Sequence, residues 1–178
     1  NIISTINLLE FARSLNTKII YASSMAVYGD KHKQCVREDF ILNPKTPYAV
    51  GKVAAENYLK VYSEVYGLRS IALRLNNVYG PGQDITTTKQ GMVSIFLNHA
   101  INNKFINVKG SKDRFRDFVY IDDVVDAFIK ALDISSEAEN DVFNISSAVK
   151  TSVEALIELI RENMPYEVGV KYSGSTLG

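Results

Sequence analysis

The sequence is poor in the residues that build disulfide bonds and metal sites. It contains a single cysteine, Cys35, so no internal disulfide and no cysteine metal site can form. Its two histidines, His32 and His99, are far apart in sequence and neither has a partner pattern, so we expect both on the surface. We therefore predict that the chain holds no metal ion.

An excess of one charge and a long apolar run are also missing. Lysine plus arginine and aspartate plus glutamate number 20 each, which argues against a general binder of nucleic acid or of membrane surfaces. No apolar run approaches the length of a membrane span, and no basic-apolar leader stands at the N-terminus. Together these features favour the cytoplasm.

A glycine-rich turn is absent as well. The 10 glycines form neither G-x-G-x-x-G nor G-x-x-G-x-x-G. Dinucleotide-binding folds use such a turn to bring backbone N–H groups and a helix N-terminus to the pyrophosphate. The segment Gly80-Pro81-Gly82 does not enter a helix after a strand, so it is no substitute. This chain therefore lacks that cofactor cradle.

The sequence does contain an alternation of helical and strand-like segments. Its 178 residues, 46% hydrophobic and 22% charged, suffice for a soluble domain with a core. Hydrophobic periodicity and capping signals predict helices over 2–14, 47–66, 91–102, 122–132 and 153–163. They predict strands over 18–22, 70–75, 105–108, 115–121, 142–145 and 168–172. This alternation predicts an α/β fold.

Two adjacent serines and a tyrosine–lysine pair form the most informative pattern. Ser23 and Ser24 follow the strand at 18–22, and Tyr48 and Lys52 stand four apart in the next helix. Residues four apart share a helix face, so we expect the Lys52 ammonium beside the Tyr48 ring. A phenol has a reference pKa of about 10, which a neighbouring cation lowers. Such a tyrosine can exchange a proton with an alcohol that a serine hydroxyl holds.

This order of strand, Ser-Ser, Val27–Gly29 and Tyr-x-x-x-Lys resembles the extended short-chain dehydrogenase/reductases, specifically the sugar-nucleotide epimerase/dehydratase branch. The resemblance implies the C-terminal half of a Rossmann-like, doubly wound parallel sheet plus part of a small substrate-binding lobe. It implies catalytic roles for Ser24, Tyr48 and Lys52, and NAD binding by Ser23, Tyr48 and Lys52. NADP stays open, because the segment that selects between the two cofactors is absent.

One further segment supports the resemblance and supplies a candidate for substrate binding. Residues 74–83 resemble the family's Arg-x-x-Asn-Val-Tyr-Gly-Pro loop. By this resemblance, Asn77 is expected to bind the diphosphate or the sugar of the substrate. Ser24 is expected to hydrogen-bond the reacting sugar oxygen. The alternative for Asn77 is an asparagine that hydrogen-bonds its own turn.

A second segment, residues 114–123, resembles the family's Arg-Asp-Phe/Tyr-x-x-Val-x-Asp pattern. The match implies that Arg116 binds the nucleotide diphosphate, and a planar guanidinium suits two phosphate oxygens. The alternative for Arg116 is a surface pair with Asp113 or Asp117.

The resemblance also divides the chain into parts. In the family the glycine-rich turn precedes the catalytic serine by several strands. We therefore expect an internal piece, without roughly 100 residues of the first half of the sheet and without the end of the substrate lobe. The expected parts are 1–90 for the second half of the NAD-binding domain, 91–122 for the start of the substrate lobe, 123–163 for a return to the sheet, and 164–178 for the start of a truncated C-terminal lobe. A natural half-protein that pairs with another chain is the alternative.

The residues after Ser24 help to select the reaction. The resemblance implies hydride transfer between the cofactor and a sugar carbon, with Tyr48 moving the hydroxyl proton. Family dehydratases carry an acidic pair after the serine and decarboxylases a glutamate, whereas Met25 and Ala26 have no titratable group. A homodimeric 4-epimerase of a UDP-sugar fits best, with this piece inactive alone. A nucleotide-sugar reductase comes second, and a non-catalytic, partner-binding half-protein is the third hypothesis.

Overall fold

A computed structural model describes residues 2–29, 35–86, 91–134 and 140–173 of the chain. The helices in these ranges are α1 Ile2–Leu15, α2 Pro47–Tyr66, α3 Met92–Asn103, α4 Ile121–Asp133 and α5 Val153–Glu162. The strands are β1 Ile19–Ser24, β2 Ser70–Leu75, β3 Asn77–Tyr79, β4 Phe105–Lys109, β5 Phe115–Arg116, β6 Phe118–Tyr120, β7 Asp141–Ile145, β8 Thr151–Ser152 and β9 Gly169–Ser173. A short 3-10 helix, Met25–Tyr28, follows β1. The predicted α/β class is confirmed.

The chain divides into two compact units. The first unit comprises Asn1–Asn76 and Asp123–Ile145, and the second comprises Asn77–Asp122 and Ser146–Gly178. These bounds differ from the four parts expected from the sequence, 1–90, 91–122, 123–163 and 164–178. The assignment of those parts to cofactor and substrate stays a prediction.

The first unit is built on a parallel sheet with strand order β1-β2-β7. Residues 70–74 of the central strand are all buried, which explains why β2 is a nearly continuous apolar run. Leu9 of α1 and Leu59 of α2 pack in one core cluster with Ala72. Ala131 of α4 packs in another with Leu73. Helices therefore cover the sheet in the α/β manner that the sequence predicts.

Helix α2 forms where local signals place it. The Thr46 hydroxyl caps its first turn by accepting a hydrogen bond from the Ala49 N–H at 3.1 Å. Pro47 occupies the first position, where its missing N–H costs nothing. Gly67 ends the helix at φ 66°, a left-handed conformation that glycine adopts without strain. Tyr48 and Lys52 are thereby fixed in the first two turns.

Three short strand pairs lie in the described part of the second unit. Strands β3 and β6 pair in parallel, as do β4 and β9, while β5 and β8 pair antiparallel. Its core is formed by buried side chains of α3, β4, α5 and the approach to β9, namely Phe96, Ala100, Ile106, Val108, Val153, Leu156, Ile157, Ile160 and Val168.

Two local predictions in this unit differ from the structure. Residues 77–79 were expected in a loop, but they form β3, because their partner β6 lies about forty residues away and pairing at that distance leaves no local signal. The predicted strand 115–121 is interrupted at Asp117, which separates β5 from β6. Helix α4 begins at Ile121, so Asp122 stands inside its first turn rather than at the cap.

None of the helices in the described ranges is long and apolar enough to cross a membrane.

Candidate active site

Ser24 occupies the carboxyl end of strand β1 in the first unit. It is the last residue of the strand and the N-cap of the 3-10 helix Met25–Tyr28. Its Oγ accepts a hydrogen bond from the Ala26 N–H at 3.2 Å and is half-buried. The carboxyl ends of parallel strands are where ligands bind in open α/β sheets. Ser24 is thus held at a ligand-binding edge with its hydroxyl proton available to donate.

Tyr48 and Lys52 share one face of α2, as their spacing predicts. The Lys52 Nζ lies 5.6 Å from the centroid of the Tyr48 ring and 4.8 Å from that of Tyr21. It also donates a hydrogen bond to the Ala22 carbonyl at 2.6 Å. The Tyr48 side chain is accessible, with the residue 51% exposed. The lysine therefore ties the tyrosine-bearing helix to the strand that ends at Ser24.

Burial shapes the electrostatics around this lysine. Burial lowers the pKa of the Lys52 ammonium from its ordinary value, and the Glu56 carboxylate opposes that shift. Burial, followed by the charges on Tyr48 and Glu56, raises the pKa of Tyr21 to about 12. Tyr21 is therefore a neutral phenol whose ring faces a cation at physiological pH.

Ser23, the expected cofactor ligand, has its side chain in the interior. The residue is 3% exposed and its hydroxyl donates a hydrogen bond to the Glu56 carboxylate. The side chain is thus committed to Glu56. Cofactor binding by Ser23 stays a prediction, and it would have to use the backbone.

Asn77 and Arg116, the expected substrate ligands, both lie in the second unit. The Asn77 side-chain amide donates to the backbone carbonyl of Asp117, the residue between β5 and β6, at 2.8 Å. The Arg116 guanidinium donates to the Phe115 carbonyl at 2.9 Å and makes no ion pair with any residue in the described ranges. The alternative of a surface pair with Asp113 or Asp117 is therefore absent there. Their roles toward a substrate stay predictions.

Asn77 also lines a cavity of about 220 Å³ within the second unit. Other polar and apolar lining residues are Gln83, Met92 and Phe118. An open cavity with a polar side chain on its wall is a suitable place for a small ligand.

The sequence profile of the NAD dependent epimerase/dehydratase family matches residues 1–146. The chain belongs to this family. The expected membership and the Rossmann-like character of the fold are confirmed.

Individual members of the NAD-dependent epimerase/dehydratase family differ in the reaction they are named for. The UDP-glucose 4-epimerase of Mycolicibacterium smegmatis is 37% identical over 88% of this chain and 50% of its own length. The dTDP-4-dehydro-6-deoxyglucose reductase of Escherichia coli is 40% identical over 80% of this chain and 44% of its own length. The crystal structure of the UDP-glucose 4-epimerase of Thermotoga maritima with UDP-glucose superposes with a TM-score of 0.91 at 33% identity, covering 99% of this chain and 57% of that one. The chain thus spans about half the length of the relatives it matches.

Two charged residues in the first unit, Arg74 and Glu56, were overlooked as a pair in the sequence. Arg74 stands in the buried strand β2 and Glu56 follows Lys52 by one helical turn. A charged residue inside an apolar strand needs a buried partner of opposite charge, so the pattern Ser-Ile-Ala-Leu-Arg-Leu was the available signal. The partner itself could not be named without the fold.

The second unit holds a third overlooked residue, Asp117. Its carboxylate accepts hydrogen bonds from Ser146 Oγ at 2.5 Å, from Ser147 N–H at 3.0 Å and Oγ at 2.8 Å, and from Ala148 N–H at 2.9 Å. It therefore fixes the loop that follows β7.

The described part of the chain bears on the expectation that no metal site is present. No cluster of three or more histidine, cysteine, aspartate or glutamate side chains able to hold a metal ion occurs in the described ranges. His32 lies outside the described residues. His99, expected on the surface, is half-buried, and its Nδ1 is buried without a hydrogen-bond partner among the described residues.

Proposed function

We propose that this chain is the central part of an NAD-dependent epimerase of a nucleotide sugar, of the UDP-hexose 4-epimerase type. The observation that carries the proposal is the Lys52 ammonium held 5.6 Å from the Tyr48 ring while it donates to Ala22, two residues before Ser24. A cation beside an accessible phenol, bonded to the strand that ends at the Ser24 hydroxyl, supports this proposal. A proton-transfer site for a sugar alcohol needs these three groups.

Each residue has a defined part in the proposed reaction. The Tyr48 oxygen takes the proton from the sugar hydroxyl and returns it, with the Lys52 ammonium beside its ring. The Ser24 hydroxyl donates a hydrogen bond to the reacting sugar oxygen. Bound NAD would supply the hydride acceptor and donor. Lys52 fits the cofactor because one ammonium proton goes to Ala22 and two stay available for a ribose hydroxyl.

The residues after Ser24 support epimerisation over elimination. Met25 and Ala26 begin the 3-10 helix, and neither can protonate or deprotonate a sugar carbon. A nucleotide-sugar reductase is the second candidate, since the reductase of Escherichia coli is 40% identical. NAD is the proposed cofactor, with NADP as the alternative.

A nucleotide sugar is the proposed substrate, and the second unit supplies its ligands. Arg116 has no ion-pair partner in the described ranges, so its guanidinium has donors to offer a diphosphate. Asn77 lines the cavity of about 220 Å³, and this position supports its proposed role toward the sugar or the diphosphate. The Thermotoga maritima epimerase, bound to UDP-glucose in its crystal structure, supports this substrate class.

We also propose a cytoplasmic homodimer. Helices α1 and α2 pack together through Leu9 and Leu59, yet each leaves a row of large apolar side chains exposed. These are Leu8, Phe11 and Leu15 on α1 and Val50, Val61 and Val65 on α2. Exposed apolar side chains on two helices that pack together favour association, and a second copy is the proposed partner. The double variant Phe11→Glu/Val61→Glu should sediment as a monomer. The control variant Ile129→Glu, on α4, should still sediment as a dimer.

The function is tested in the full-length enzyme that contains this chain. Incubation with NAD and UDP-glucose should yield UDP-galactose by proton NMR, without net NADH formation. Tyr48→Phe serves as the inactive control. Stoichiometric oxidation of NADH by a 4-keto nucleotide sugar, without epimerisation, would favour the reductase. Absence of both reactions would overturn the proposed activity.

A further inference from the structure

A buried ion pair joins strand β2 to helix α2 in the first unit. The Arg74 Nε donates to Glu56 Oε1 at 3.0 Å, and its Nη2 donates to Oε2 at 2.7 Å. The two side chains are 5% and 6% exposed. This is the bidentate geometry that gives a guanidinium–carboxylate pair its directional specificity.

Stability alone is a weak reason for such a pair. Removing two charges from water is costly, and well-packed apolar residues of similar volume often stabilise a fold equally or better. Buried polar networks can instead specify one arrangement of the elements they join. The contacts of the pair indicate which elements those are.

Both members of the pair hold the segment that contains Ser24. Glu56 accepts a hydrogen bond from the hydroxyl of Ser23, the residue before Ser24. The Arg74 Nη1 donates to the hydroxyl of Tyr28, the last residue of the 3-10 helix that Ser24 caps. The segment is thus fixed immediately before and after the serine turn.

The same carboxylate is carried by the helix of Tyr48 and Lys52. Glu56 follows Lys52 by four residues and Tyr48 by eight, which places all three on one side of α2. One buried group therefore connects the helix that bears the tyrosine and lysine with the turn that bears the serine.

We propose that Glu56 and Arg74 are positioning residues that set Ser24 relative to Tyr48 and Lys52. The proposal rests on the proposed function in assigning the reacting groups to these three side chains. The pair touches neither substrate nor cofactor in this role. It acts through Ser23 and Tyr28, so cutting those two links has the same effect as removing the pair.

The first experiment cuts the links and leaves the ion pair in place. The Ser23→Ala/Tyr28→Phe double variant of the full-length enzyme removes two hydroxyl groups, and with them the Tyr28 hydrogen bond to Asn144 Oδ1. We expect kcat to fall by about 10–100-fold with KM changed less than about 3-fold, because small misplacement of a reacting group costs this much. The matched control is Ser70→Ala/Tyr62→Phe, which removes a buried serine hydroxyl and a tyrosine hydroxyl of the same unit that bond Asn140 and Glu10. Its kcat should be unchanged.

The second experiment replaces the pair itself with apolar residues. Glu56→Met/Arg74→Leu should fold with a melting temperature near that of the wild type and show the same loss of kcat. Should this variant fail to fold, Glu56→Gln serves in its place: it keeps the shape but replaces one acceptor oxygen with an amide donor that faces the Arg74 guanidinium, so the same loss of kcat is expected. A folded variant with wild-type kcat would overturn the proposal and leave the pair a structural element only.

The third measurement does not depend on turnover. Hydrogen exchange of the peptide spanning 24–29, without cofactor, should be faster in the link variant than in the wild type, since the Ala26 and Gly29 N–H groups bond within this turn. Exchange of the β4–β9 pair should be unchanged. If the wild type has neither epimerase nor reductase activity, the proposed function is overturned. The hydrogen-exchange comparison still tests the positioning role in that case. Unchanged exchange of the peptide 24–29 in the link variant would overturn the positioning role of Glu56 and Arg74.

Discussion

The Lys52 ammonium lies 4.8 Å from the centroid of the Tyr21 ring, which the preceding strand supplies. An aromatic face attracts a cation more strongly when both are partly removed from water. Burial lowers the pKa of Lys52, so the ring counteracts part of the cost of keeping this ammonium charged. Tyr21 thereby supports the protonated form of the lysine that lies beside Tyr48.

The phenol of Tyr21 has a consequence for alkaline stability. Its pKa is raised from 10.0 to about 12 in the folded state, so its contribution to stability is fully present below the unfolded value and is lost as pH rises through the folded one. Urea unfolding of wild type and Tyr21→Phe at about pH 9 and about pH 11 should show the wild type losing more of its free energy of unfolding. Equal losses in both proteins would contradict a raised pKa at this site.

Tyr48→Phe in the full-length enzyme should remove most turnover and leave UDP-sugar binding nearly intact. A lost general acid/base costs about 10²–10⁴-fold in rate. The phenyl ring retains the shape and the face toward Lys52, so only the proton-transfer group is lost. Turnover and calorimetric affinity measured on one preparation would separate the two effects. Near-normal kcat in the variant would remove Tyr48 from the mechanism.

Arg116→Ala should weaken UDP binding in the full-length enzyme by about 1.5–3 kcal/mol, the scale of a hydrogen bond to a charged group. NAD affinity should change little. Arg161→Ala is the matched control, since this arginine of the same unit pairs with Glu158 on an exposed helix surface. If calorimetry finds equal UDP affinity in the two variants, Arg116 does not bind the diphosphate and is only a surface residue.

Asp117→Ala should destabilise the second unit. The carboxylate accepts hydrogen bonds from three consecutive residues, 146–148, and the side chain is only partly buried. We expect a loss of about 1.5 kcal/mol in free energy of unfolding, the lower end for hydrogen bonds to a charged group. Asp113→Ala, on an exposed side chain near by, should change stability by less than about 0.5 kcal/mol. Urea unfolding of both variants decides whether the loop is held by this carboxylate.

Residues 1–178 expressed alone should bind no NAD tightly and turn over no UDP-sugar. The sequence has no glycine-rich turn, so the pyrophosphate would lack its N–H cradle. Strand β1 has β2 as its one neighbour in the described sheet, and an open strand edge invites association. NAD titration with light scattering should therefore find no binding and a mass above that of one chain.

A stable monomer that binds NAD at micromolar concentration would contradict this expectation. Restored binding on adding a second polypeptide that carries a glycine-rich turn would support the half-protein alternative.

Local chemistry explains which features could be predicted from the sequence. The bounds of α2 follow from Thr46, Pro47 and Gly67, and the Lys52–Tyr48 proximity follows from helical spacing alone. Strand β3 depends on a partner far along the chain, and the Arg74–Glu56 pair depends on the packing of two elements. The pairing of β3 leaves no local signal, and the charged Arg74 in an apolar strand signals a buried partner without naming Glu56. The Ser24, Tyr48 and Lys52 roles came from resemblance and await the experiments above.

Ser23 and Ser24 are neighbours in sequence, but successive side chains of a strand point to opposite faces. Ser23 donates to buried Glu56, whereas Ser24 ends the strand at its ligand-binding edge. The two hydroxyl groups therefore cannot replace each other, although the serines are adjacent in sequence. Ser23 is therefore not expected to replace the Ser24 hydroxyl in Ser24→Ala. We expect substitutions to be poorly tolerated at both serines. At Ser23 the reason is its bond to buried Glu56, and at Ser24 it is the place of the hydroxyl at the end of the strand.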